Sequence, residues 1–476
     1  MNASPSSPAA EPQEVSKLPS TPRWPFVGSA LHIDSRRVHQ QVEAWAQELG
    51  PIFRMKLGKR EIVVISDHEA IGAVLRDRPD GFRRNPLVGR IGAEMGLQSG
   101  IFNSEGDDWR RQRRMVMAGF DPRHVKAYFE DLVKVCGRLE RRWARAAQTT
   151  TPIDLQPDLM RFTVDAISGL AFGVDINTLE SDQEVIQQHL DLIFPAFRKR
   201  LFAMLPTWRW FKTSSDRALD RSIATVNASI DEFVAAARRR LVDPQRRAAP
   251  ANLLEALIVA ADEENSAASD AQIAGNVMTM LLAGEDTTAN TLAWMIHLLH
   301  ENPRCLAEAR REVDGLGSAA NWSVEKLGDT RYLEACANET MRLKPVGPFI
   351  VLQALRETVI LGTRIPAETL VWLIMRKDSV DNGYFEGADR FDPERWLSAE
   401  SPSAHSPARV SMPFGAGPRV CPGRHLAMLE MKMALATLIG YFDIASVTTA
   451  SGKAPAELFS FTMEPEPLTM RICERN

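Results

Sequence analysis

Apolar and polar positions alternate along this chain with an almost wholly helical period, broken by one clear exception near the N-terminus. Ile52-Phe53-Arg54-Met55-Lys56-Leu57 and Glu61-Ile62-Val63-Val64-Ile65-Ser66 read as two strands around a Gly58-Lys59-Arg60 turn, a β-hairpin. From Asp67 onward helical spacing dominates, so the pattern predicts a mainly α architecture with a small β-sheet beside that hairpin. The longest helical pattern opens at Ser269, which can form a capping box with Gln272, and runs to about His300. It is not a membrane span, because its apolar run over 273–283 is short, contains Asn276 and ends in Glu285-Asp286. Another helix is predicted where Leu426, Leu429, Met433 and Ala436 recur on one face.

Other stretches lack a period. Residues 83–106 hold several glycines and scattered apolar residues such as Leu87, Ile91, Met95 and Phe102, and read as a long irregular segment, a kind usually functional or mobile. Residues 184–212 are rich in aromatics, among them Phe194, Phe197, Trp208 and Trp210, interleaved with Arg198, Lys199 and Arg200. Core packing is the commonest reading of such a stretch. Residues 345–352 are apolar but cannot be helical at Pro345 and Pro348, and residues 244–251 read as a Pro/Ala/Arg loop.

With 476 residues and a net charge of −4, the chain can bury a large core, and nothing marks it as a nucleic-acid binder. Its five cysteines, Cys136, Cys305, Cys336, Cys421 and Cys473, are scattered without metal-finger spacing, which suits a reducing compartment. Residues 1–20 are rich in Ser, Pro, Ala and Glu, and are expected to be a disordered leader, neither signal peptide nor membrane anchor. The remainder, 21–476, is expected to be a single domain, cytoplasmic and monomeric.

Candidate chemistry gathers at two places. In Phe414-Gly415-Ala416-Gly417-Pro418-Arg419-Val420-Cys421-Pro422-Gly423, alternate glycines and two prolines make a stiff loop that presents one sulfur just ahead of a helix N-terminus, where a thiolate is favoured. A lone cysteine is also compatible with a small buried hydrophobe, and Arg419 argues against that by calling for an anion. In the middle of the long helix, Ala283-Gly284-Glu285-Asp286-Thr287-Thr288 places a glycine and two threonines where they cost helix stability, so something must approach the backbone closely. His297 and His300 have no carboxylate or cysteine to complete a metal site and read as structural.

The cysteine loop resembles the haem-binding signature of the cytochrome P450 family, Phe-Gly-x-Gly-x-Arg-x-Cys-x-Gly, at every fixed position. The mid-helix stretch resembles that family's oxygen-activation segment. The resemblance implies a cytochrome P450 fold with haem b between the long central helix and the cysteine loop. Cys421 is then the axial ligand, with Phe414, Gly415, Arg419 and Gly423 around it and Ala283 and Gly284 on the opposite side, where the helix bulges. Trp109 and Arg113, four apart on one helix face, would hold a haem propionate, although spacing alone equally fits a solvated basic helix. Thr287 would donate a hydrogen bond toward dioxygen and Asp286 would help deliver protons. Glu339, Arg342 and Arg395 would form a buried structural network. The aromatic stretch becomes a lid over the substrate, with Met280, Phe349, Ile350, Phe459 and Phe461 as pocket candidates. Residues 375–385 depart from the family pattern, and no haem contact is assigned there.

These expectations describe a haem-thiolate monooxygenase that inserts one atom of O2 into an apolar fatty acid, terpenoid, steroid or polyketide. No Gly-rich dinucleotide fingerprint is present, so electrons are expected from a separate ferredoxin or flavodoxin and its reductase. Arg110, Arg111, Arg114, Arg123 and Lys126 form a candidate basic patch for that donor, unless they are simply a solvated face. The alternatives are a peroxygenase or haem-thiolate isomerase, which would not need Asp286 and Thr287, and a haem sensor without turnover, which would not need an apolar lid.

Overall fold

The computed structural model describes residues 11–120, 122–181, 189–190, 192–203, 205–263, 269–397 and 406–475. Parts of the aromatic stretch (184–188, 191 and 204) and residues 1–10 of the expected leader lie outside them.

The long helix spans Asp270–Glu301, 32 residues, roughly 48 Å at the usual rise per residue. Ser269 Oγ accepts from Gln272 N at 3.3 Å, and Gln272 Oε1 accepts from Ser269 N at 3.2 Å. Each end residue thereby satisfies a backbone donor of the first turn. Because the helix is buried on most sides, it runs inside the core and not along the surface. It packs along Leu155–Ile167 and against Arg331–Leu343 and Arg424–Tyr441. Phe162, Leu292 and Leu435 are wholly buried in the resulting core.

The hairpin pairs from Ile52 with Ile65 to Leu57 with Arg60, so the turn is Gly58-Lys59, one residue tighter than the sequence suggests. Gly58 sits at φ +59°, a left-handed conformation that glycine adopts without strain. The hairpin opens a five-stranded mixed sheet in the order 52–57, 60–65, 370–374, 349–354, 82–84. Period-two alternation then sorts side chains between its faces. Val63, Ile65, Val371 and Leu373 pack against the helix His68–Arg76, while Ile62, Val64, Trp372 and Ile374 pack against the helix Val38–Leu49.

Three segments differ from the sequence reading. Within 83–106 lies a capped helix, Pro86–Met95: Asn85 accepts from Leu87 N at 3.0 Å, Pro86 takes the first position, and Gly96 ends it at φ +87°. Gly89 and Gly92 dilute its apolar stripe, which is why no period is visible. Residues 11–20 of the expected leader are packed on the body: Gln13 and Glu14 pair in parallel with Thr363 and Arg364, and Leu18 is buried against the sheet. Residues 244–248 form one capped helical turn instead of a loop.

Candidate active site

Cys421 stands at the end of a closed loop, its N–H donating to Phe414 O at 2.9 Å. Gly415 and Gly417 hold φ +73° and +69°. At Gly417 a Cβ would also lie 2.7 Å from Leu75 O and Arg76 Cα, so glycine is what lets the loop rest on the helix His68–Arg76. Phe414 is half-buried against the core. Gly423 precedes the helix Arg424–Tyr441, and a Cβ there would stand 3.9 Å from the Cys421 sulfur. Burial raises the thiol above its ordinary value, while the Gly423 N–H and the Arg113 and Arg424 guanidinium groups draw it down.

Arginines converge beside this loop. The helix Gly106–Gly119 carries Trp109, buried beneath the Arg419 guanidinium at 4.7 Å, and half-buried Arg113, which feels the charge of the Cys421 sulfur. Arg419 meets Glu105 at 2.8 Å and donates to Ser104 O. Arg419 thus already has one carboxylate partner within the chain. Glu105 also accepts from Arg84 N at 2.8 Å and lies 4.0 Å from Arg78 Nη2. Burial first, then repulsion from the neighbouring guanidinium groups, lowers Arg78 to about 10 and Arg84 to about 9. Three cations therefore share one carboxylate, and the buried Nε atoms of Arg78 and Arg419 have no hydrogen-bond partner. The cluster is short of negative charge, and a group bearing carboxylates next to a thiolate-bound metal fits it. Arg78, Arg84 and Glu105 escaped the sequence reading because no spacing links them.

The central helix passes through 283–288 as continuous α-helix, without the bulge that the resemblance implies. Thr287 Oγ1 donates to Ala283 O at 2.6 Å. Ala283 is exposed and Thr287 half-buried on the same face, an open strip on an otherwise enclosed helix. Gly284 is turned away from that strip. A Cβ there would lie 3.2 Å from Ile167 Cγ1, so glycine lets the helix Leu155–Ile167 pack closely at this point.

Asp286, 5% exposed, accepts from Asn290 Nδ2 at 2.9 Å and from Thr462 Oγ1. Burial raises it to about 6, against the pull of those two bonds, so it exchanges a proton near neutral pH. Thr288 hydrogen-bonds Glu430, a buried carboxyl on the helix after the cysteine that burial raises to about 8. Glu430 had a readable signal: it shares the apolar stripe of Leu426 and Met433. Thr462 had none.

Of the pocket candidates, Phe461 lies among Phe102, Phe194 and Phe197 with ring centroids 5.8, 5.2 and 5.4 Å away. The once-irregular segment, the lid helix Ile193–Leu201 and the C-terminal turn thus meet in one aromatic box. Met280 is buried in the main core. Phe349 and Phe459 are corrected: Phe349 stacks on Trp372 at 5.1 Å and meets Phe459 at 4.8 Å, both within the core under the helix Val38–Leu49. Ile350 alternates to the other face of the sheet.

Glu339, Arg342 and Arg395 are brought together. Glu339 accepts from Arg342 Nε and Nη2 at 2.8 Å each, from Arg395 Nε at 3.0 Å and from Trp396 Nε1 at 2.8 Å, and Arg342 Nη1 donates to Ser379 O and Ala388 O. Residues 375–385 earn their polarity the same way, Arg376 binding Glu43 and Glu457 while Asp378 binds His68. Asp67, His68 and Asp378 lie close enough for a metal, yet Asp67 caps its helix and Lys377 already neutralises Asp378. His297 packs against Trp294, centroids 6.3 Å apart.

Residues 18–472 match the family profile described as Cytochrome P450. The chain belongs to the cytochrome P450 family. As a member it is a haem-thiolate monooxygenase, using haem b on a cysteine thiolate. It is similar to the heme domain of cytochrome P450DA, with TM-score 0.82 and 25% identity over 96% of this chain and 98% of that one. Protein LUTEIN DEFICIENT 5 of Arabidopsis thaliana is 24% identical over 86% of this chain and 69% of its own length. Carotene epsilon-monooxygenase of the same plant is 27% identical over 85% and 76%. A self-sufficient cytochrome P450 monooxygenase of Oidiodendron maius is 27% identical over 90% of this chain, which spans only 39% of that relative. No helix among the described residues is long and apolar enough to cross a membrane.

Proposed function

We propose that this cytochrome P450 hydroxylates or epoxidises an extended apolar substrate of the fatty acid, terpenoid, steroid or polyketide class, receiving electrons from a separate ferredoxin or flavodoxin and its reductase in the cytoplasm. The observation that carries the reading is the closed loop presenting Cys421 beside an arginine cluster short of negative charge. Cys421 would hold the haem iron, and Arg419, Arg78 and Arg84, with Trp109 and Arg113 alongside, would hold its propionates. Bound in this way, haem supplies the activation of dioxygen and the transfer of one oxygen atom to a C–H or C=C bond.

The chain's own residues supply the rest. Asp286 can take a proton from solvent and release it near neutrality. Thr287 has its hydroxyl hydrogen on Ala283 O, which leaves its lone pairs to accept on the open strip; to pass a proton on, the hydroxyl must turn and release Ala283 O as it accepts another. The four phenylalanines bind hydrocarbon and exclude water. Of the lid arginines, Arg200 is already paired with Asp216 at 3.1 Å, and Arg198 donates to the Ser35 hydroxyl at 2.8 Å. Kinship with a carotene epsilon-monooxygenase favours the terpenoid class.

The test is the reduced, carbon-monoxide-treated spectrum of haem-loaded wild type and Cys421→Ser. A strongly red-shifted Soret band present in the first and absent in the second supports the assignment, and its absence from the wild type removes Cys421 as ligand. Product formation with a ferredoxin system, and its failure with peroxide alone, separates the monooxygenase from a peroxygenase.

A further inference from the structure

We infer that Thr462 is a positioning residue through which the phenylalanine box controls the carboxyl group of Asp286. One tight turn carries the argument. Phe461 and Thr462 are neighbours at the tip between the strands Glu457–Phe459 and Met463–Pro465. The first places its ring among Phe102, Phe194 and Phe197, and the second, 6% exposed, donates its hydroxyl hydrogen to Asp286 Oδ2 on the central helix.

The base of the turn is held firmly. Glu457 is gripped by Arg376, His39 and Lys344, and Met463 N donates to Val346 O at 2.8 Å. Movement forced on the Phe461 ring is therefore taken up at the tip, and the Thr462 hydroxyl is the polar contact that tip makes with the central helix. While that bond stands, both Asp286 oxygens are engaged, Oδ1 by Asn290 and Oδ2 by Thr462. When it opens, Oδ2 is free to receive a proton. Substrate entering the box thus releases the carboxyl, and an empty box holds it.

The surroundings isolate this contact electrostatically. Asp286's own helix carries Asp270, Glu285, His297, His300 and Glu301; the helices packed on it carry Asp158, Arg161 and Asp165, then Arg331, Glu334, Glu339 and Arg342, then Arg424, His425, Glu430 and Lys432; and Glu464 lies beyond the turn. None of them enters the balance of Asp286, which burial, Thr462 and Asn290 set between them.

The inference rests on Asp286 handling protons as proposed above, but the contact can be read without turnover. The carboxyl titration of Asp286 is followed by infrared difference spectroscopy of haem-loaded protein, with Asp286→Asn identifying the band. Thr462→Val should move the midpoint upward by about one pH unit, because a bond that favours the ionised form is lost, whereas Thr462→Ser should leave it in place. Phe461→Trp overfills the box and should move the midpoint the same way, with no additional movement in the Phe461→Trp/Thr462→Val double variant. An unmoved midpoint in Thr462→Val overturns the contact, and no effect of Phe461→Trp, or additive effects, overturns the coupling. The acid limb of the kcat profile should follow the infrared midpoint. If the midpoint moves and that limb does not, Thr462 keeps its positioning role while Asp286 loses the catalytic one.

Discussion

A buried carboxyl is costly to ionise, and Glu430 is one that the folded chain keeps neutral at pH 7, raised by burial from 4.5 to about 8. Between those two values the unfolded chain has released the proton and the folded chain retains it. Folding stability should accordingly be greatest below the lower value, fall by up to about 1.4 kcal/mol per pH unit as pH rises through the window, and level off above the upper one. Glu430→Gln should remove that slope, which urea midpoints collected across pH would show. An acid on an apolar stripe is a signal a sequence can carry. The Thr462–Asp286 bond is not, because 176 residues separate its partners and neither neighbourhood predicts the other.

Elements differ in how far their own residues explain them. The central helix is legible because its capping box and long period are local, and so are the hairpin and the rigid cysteine loop. The helix Pro86–Met95 is hidden by Gly89 and Gly92, although Asn85-Pro86 and Gly96 punctuate it. Phe349 and Phe459 look like pocket residues until strand pairing decides which side of the sheet each side chain occupies, a choice made by partners distant in sequence. The Glu339 network joins the helix Arg331–Leu343 to the segment around Arg395, with both Glu339 and Arg342 wholly buried. Glu339→Gln preserves shape and removes the negative charge that Arg342 and Arg395 share. It should cost roughly 3–5 kcal/mol of stability in denaturant titration, because the wholly buried Arg342 guanidinium is left uncompensated while Arg395 keeps Asp392 at 3.6 Å.

At the scale of the molecule, charge governs encounter. The basic residues expected to meet an electron carrier are less available than their number suggests: Arg110 pairs with Asp80 and Asp107, Arg111 with Asp108, and Lys126 with Glu325. The remaining steering is modest, so turnover at low ferredoxin concentration should fall only mildly as salt rises, a dependence read from initial rates across ionic strength. Inside, the balance is reversed. Arg78, Arg84 and Arg419 crowd around Glu105 and repel one another. Such a site distinguishes cofactors by what hangs on the rim of the ring as much as by the metal at its centre. Iron porphyrin with esterified propionates should bind the apoprotein far more weakly than the free diacid, as measured by haem-titration absorbance, although Cys421 is equally available to both. The chain in effect weighs its cofactor by charge before the sulfur ever meets iron.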